Sequence, residues 1–191
     1  MRSLREPQSF SEDFADDWSE WVIENALPVL PPVLRVGDSV PVARWVGRTI
    51  SAVLRLQWEW VPGGSRHLAC EVVCLGHSMD RRWETSDGAG GSSWPYRALE
   101  RPILNPNEVR VLGRHHTQLG DDPIRALYGV AGEAIKYVKL TTNGDSQRNR
   151  VDSKIGAWVV AYVPTTSGSI ELVNAGDSRI VSIDLPDSDA E

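Results

Sequence analysis

The chain has 191 residues, 41 % of them hydrophobic and 24 % charged, with a formal net charge of −6. A chain of this length buries a sizeable core without needing disulfides or a structural metal. Its charge is uneven: residues 1–30 hold two Arg against seven Asp and Glu, and residues 184–191 hold four acids and no base, while 31–183 is slightly basic. Acidic ends repel phosphate backbones, which argues against nucleic acid as a partner.

Met1-Arg2-Ser3-Leu4-Arg5-Glu6 lacks the apolar run of a secretory leader, and no segment has the 18 uninterrupted apolar residues of a membrane span. With only two cysteines, both in an apolar strand pattern, these features predict a cytoplasmic protein. Seventeen arginines against three lysines match GC-rich coding, and eight tryptophans are more than a chain of this size commonly carries.

In chain order, Ser9-Phe10-Ser11-Glu12 has the spacing of a capping box. From there to about Asn25, Phe14, Trp18, Trp21 and Val22 share one helical face, and acids occupy the rest. Pro28, Pro31 and Pro32 end the helix. After Pro32 the period becomes two. In Leu54 to Trp60 every even residue is apolar and every odd one polar, as in a strand with one face in the core and one in water. Residues 68–75 form the returning strand and 81–86 a third, followed by a glycine-rich loop that contains Gly90, Gly91 and Trp94. Seven short strands follow over 108–185, with Asn143-Gly144 as a hairpin turn and Ala157 to Val163 as a central strand.

The predicted fold is therefore an all-β, Ig-like antiparallel β-sandwich with one short N-terminal amphipathic helix. Its predicted divisions are an acidic helix and Pro-rich connection over 1–32, a sandwich over 33–186 that divides into β halves at 33–100 and 108–186, and an acidic tail over 187–191. In general pattern, residues 132–185 resemble β-sandwich domains of GC-rich bacteria. The pattern comprises a Val/Ile strand, the Gly156-Ala157-Trp158 strand running to Pro164, and a last pair of strands around Gly176-Asp177. The resemblance implies a fold and carries no activity.

Three constellations bear on function. His67, Cys70, Cys74 and His77 are zinc-ligand types. On a strand, however, the cysteines lie ~13 Å apart at ~3.3 Å per residue and the histidines face the other way. They read as core thiols, and no metal or cofactor is expected. His115-His116 with Asp121-Asp122 flank a turn, and a hairpin closing there would set one His opposite one Asp as an acid–base dyad or metal pair. Trp94, among Gly, Ser and Pro, is the tryptophan expected at the surface, where it would stack on a sugar.

The leading expectation is a non-catalytic protein-interaction or scaffold protein of the bacterial cytoplasm, part of a larger assembly. Phe14, Trp18, Trp21 and Val22 would dock a protein partner. The alternatives are a small hydrolase built on His115 or His116 with Asp121 or Asp122, and a carbohydrate-binding module using Gly90, Gly91 and Trp94.

Overall fold

The structure, a computed structural model, describes residues 5–60, 63–77, 83–86, 93–152, 154–164 and 167–185. Over these described residues it is mostly β, with three antiparallel sheets that do not close into a barrel and one N-terminal helix. No helix among the described residues is long and apolar enough to cross a membrane.

The helix begins later than its sequence signal suggests. Ser11 is the N-cap, accepting the Asp13 N–H at 3.4 Å, and a 3-10 turn over Glu12–Phe14 leads into α1, Ala15–Glu24. The expected capping box is replaced by other bonds. The Ser9 carbonyl accepts the Trp18 indole N–H at 2.6 Å, and the Glu12 N–H goes to the Gly37 carbonyl at 2.8 Å. At the far end Arg44 donates to the carbonyls of Val22, Ile23 and Asn25, groups that have no partner within the helix. Its positive charge also suits the negative end of the helix dipole. Burial there pulls the Arg44 pKa down.

The first sheet has the order β1-β2-β3-β4: β1 Ser39–Trp45, β2 Ile50–Trp60, β3 Arg66–His77 and β4 Trp83–Thr85. The sequence reading missed β1. Pro41 and a bulge between Pro41 and Ala43 break its alternation, and an edge strand tolerates both. Leu54, Leu56, Leu68, Cys70, Val72 and Cys74 all face the main core, as the alternation of β2 and β3 predicts.

The other face of this sheet does not meet water as expected. Trp18, Val22 and Ile23 of α1 pack there on Val53, Val73 and Leu75, so this sheet is covered on both sides. Trp60 also departs from the alternation. It lies at the end of β2, beyond the core, and is 62 % exposed.

The second sheet has the order β5-β6-β9, with β5 Val109–Leu119, β6 Asp122–Ala131 and β9 Ala157–Tyr162. Every residue of β9 is buried, as its two-sided apolar pattern requires. Gly129, opposite Trp158 in the ladder, has no room for a side chain: a Cβ would strike the Arg110 carbonyl oxygen and the Trp158 ring. The third sheet has the order β11-β10-β7-β8, with β7 Ile135–Thr142, β8 Asp145–Arg150, β10 Gly168–Asn174 and β11 Arg179–Asp184. Asn143 (φ 50°) and Gly144 (φ 83°) form the tight β7–β8 turn, with positive φ at both positions as predicted.

Strand β9 lies against β1 and β2. The Asn149 amide bonds both the N–H (3.0 Å) and the carbonyl (3.2 Å) of Val46, tying β8 to the β1–β2 turn. Buried residues of both β halves, among them Trp45, Leu54, Cys70, Ile124, Trp158 and Ile170, belong to one continuous cluster.

Candidate functional site

The expected His–Asp dyad is taken apart by the β5–β6 register. His115 pairs with Ala126 and His116 with Arg125, whereas Asp122 pairs with Leu119 at the turn. The histidines thus stand three or more residues from the acids, roughly 10 Å along the strand. His115 is buried with its Nε2 unpartnered, and burial first, then the neighbouring His116, lowers its pKa. His116, Asp121 and Asp122 are exposed.

Cys70 and Cys74 are buried and no disulfide joins them. Desolvation pushes the Cys74 pKa up to about 12, the mark of an inert packing thiol. No group of three or more His, Cys, Asp or Glu among the described residues is placed to hold a metal ion.

Trp94 is 5 % exposed, contrary to expectation. Its backbone N–H bonds to the Leu68 carbonyl at 2.6 Å, and its ring meets Tyr96 edge-on at 5.7 Å. The segment thereby lies along the edge of β3, which turns the indole inward and leaves no platform for a sugar there. Gly90 and Gly91 lie outside the described residues.

The helix face divides in two. Trp18 and Val22 are buried in the protein's own second core, Trp18 stacked on Phe10 at 4.7 Å and edge-on to Trp21 at 5.4 Å. Phe14 is 39 % exposed and Trp21 is partly buried. What the helix presents outward is mostly acid. Partial burial, followed by the charges of Asp17, Asp16 and Glu24, raises the pKa of Glu20.

That acidic surface continues into a cavity beside the helix. It is an open groove of about 550 Å³ between the first turn of the helix, the Val36-Gly37 loop and the outer end of the β2–β3 hairpin. Arg55 forms its floor. The guanidinium is buried and donates to Glu71 Oε2 from Nε (3.1 Å) and Nη2 (2.7 Å). From Nη1 it donates to Asp16 Oδ1 (3.2 Å) and Ser19 Oγ (3.3 Å). These bonds hold the helix to the sheet. The walls are Trp58, whose indole N–H donates to the Leu34 carbonyl at 3.1 Å, and Trp60, with the Arg66 guanidinium 4.2 Å from its ring centroid.

Four carboxylates line the groove (Glu12, Asp16, Glu59 and Glu71) with Arg55 as the cation among its described lining residues, a formal excess of three negative charges, while Arg66 lies on the Trp60 ring. His67 Nε2 stands 3.7 Å behind Glu59. The described lining residues include no Ser, Cys, Thr, Lys or His. Chemically the groove can hold a cationic group between carboxylates and indole faces. The sequence does contain one clue to it. Arg55 stands between two core leucines on a strand whose other face the alternation places in water, and a buried charge there requires a covering element with acids.

Comparison of the chain with protein-family models, with curated proteins and with solved structures finds no significant match.

Proposed function

We propose that this protein is a non-catalytic protein-interaction or scaffold component of the bacterial cytoplasm, and that it takes a basic segment of its partner into the groove beside the helix. The observation that carries this reading is the groove itself: two tryptophans and four carboxylates surround a cavity of about 550 Å³, a size typical of binding sites. The helix contributes Glu12 and Asp16 to the docking surface, while Trp18 and Val22 anchor it to the body. Separation of His115 and His116 from Asp121 and Asp122 counts against the hydrolase alternative, and burial of Trp94 counts against the sugar-binding one. The body is proposed to be a variant Ig-like sandwich, a reading supported by β9 lying against β1 and β2.

Tryptophan fluorescence titration of the full chain tests the function. An arginine- and lysine-rich peptide is expected to bind in a salt-sensitive way, and a peptide of matched length rich in Asp and Glu is not. Trp60→Ala and Glu59→Gln should each weaken binding by about tenfold, ~1.4 kcal/mol. Equal response to both peptides, or binding of a neutral oligosaccharide instead, would overturn the reading.

A further inference from the structure

Strand β11 ends the third sheet, pairing with β10 on one side and with no other strand among the described residues. An open edge is a template for another strand unless something blunts it. The opposite edge of the same sheet is engaged, because Gln147 and Asn149 of β8 bond to the backbone of Arg48 and Val46.

We propose that β11 pairs antiparallel with β11 of a second copy of this chain, across a two-fold axis at Ser182. The backbone sets the register. The Leu185 N–H bonds to the Gly168 carbonyl at 2.9 Å, so by alternation Ile183 and Val181 also turn their N–H and C=O groups toward β10. Ser182 and Asp184 turn theirs outward. Residues opposed in an antiparallel ladder must both point at the partner or both away from it. A symmetric pair is therefore centred on a residue, not between two. Centring on Ser182 sets it against its own copy, and because Ile180 is the extra residue of a β-bulge in β11, Arg179 takes the ladder position that faces the second copy's Asp184.

Side chains favour this register. Val181 and Ile183 are half-buried at the rim of the core. The pairing places each Val181 beside the second copy's Ile183 in a non-hydrogen-bonded pair, the closest side-chain contact an antiparallel ladder offers. Charge is complementary as well. Arg179 reaches Glu171 at 3.6 Å, and Glu171 lies opposite Ser182 in the ladder. Arg179, Ser182 and Asp184 are therefore on one exposed face, with a base at the start of the strand and an acid at its end. Antiparallel pairing brings each base beside the second copy's acid. The pairing joins two four-stranded sheets edge to edge, and it does not involve the groove.

The test is the mass of the full chain by light scattering over a wide concentration range, with far-UV circular dichroism as a check of folding. A concentration-dependent dimer is expected. Ser182→Pro removes an N–H that the monomer's own ladder does not use, and Ser182→Lys sets two positive charges at the axis. Both should leave a folded monomer. Arg179→Glu should weaken the dimer by about tenfold, and Arg179→Glu with Asp184→Arg should restore it. A monomer at every concentration would overturn the proposal. So would a dimer that persists undiminished in both Ser182 variants, or one that the charge exchange fails to rescue.

Discussion

Arg55 and His115 are the buried groups whose surroundings the chain pattern did not announce. Arg55 is 5 % exposed and compensated on every nitrogen, by Glu71, Asp16 and Ser19. Removing one member of such a set strands the others, which is why buried pairs break at a high cost even when forming them gains little. His115 is the opposite case, an imidazole buried beside His116 with no partner on Nε2. Its pKa in the folded protein lies below the ordinary 6.5, so at mildly acid pH the unfolded chain binds a proton that the folded one does not. Stability from this group is complete above ~6.5 and is lost as pH falls from there through the lowered folded value. Thermal denaturation between about pH 5 and about pH 7.5 should show this acid-side loss in the wild type and less of it in His115→Gln. Identical pH profiles would show that His115 does not titrate on unfolding.

At the scale of elements, the helix is the piece whose role changes most between sequence and structure. Its period is a local property, set by 3.6 residues per turn, and the sequence places Trp18, Trp21 and Val22 on the face that packs, whereas Phe14 stays half-exposed in the 3-10 turn. What covers that face is not local. The covering residues, Val53, Val73 and Leu75, lie some 30 to 60 positions further along, on the odd face of β2 and β3. Trp18→Ala is accordingly expected to destabilise the protein by about 3–5 kcal/mol, and Phe14→Ala, at a half-exposed position, by about 1 kcal/mol or less. Chemical denaturation gives both numbers. Equal, small effects would mean that the helix is not part of the folded unit in solution.

Over the whole molecule, one apolar cluster runs from Trp45 and Leu54 through Trp158 to Ile170 and Leu172. Among the described residues the two β halves therefore share this cluster. A single unfolding transition is expected, with tryptophan fluorescence and far-UV circular dichroism coinciding. Gly129→Ala, which forces a methyl group against the Arg110 carbonyl and the Trp158 ring, should shift both probes together to lower denaturant. Two separated transitions would refute the shared core.

Patterns of short range were decided by the chain alone: the helix, the alternation of β2 and β3, the Asn143-Gly144 turn, the two-sided burial of β9, and the inward thiols of Cys70 and Cys74. Each rests on neighbours within a few residues, where backbone geometry dictates which side chains share a face. Strand β1 escaped detection because Pro41 and a bulge interrupt that geometry. Register between distant strands, the second layer over a sheet and the direction of a ring near a sheet edge depend on contacts far apart in sequence. Only the tertiary structure could therefore separate His116 from Asp122, bury Trp94, expose Trp60, and surround Arg55 with the carboxylates of the groove.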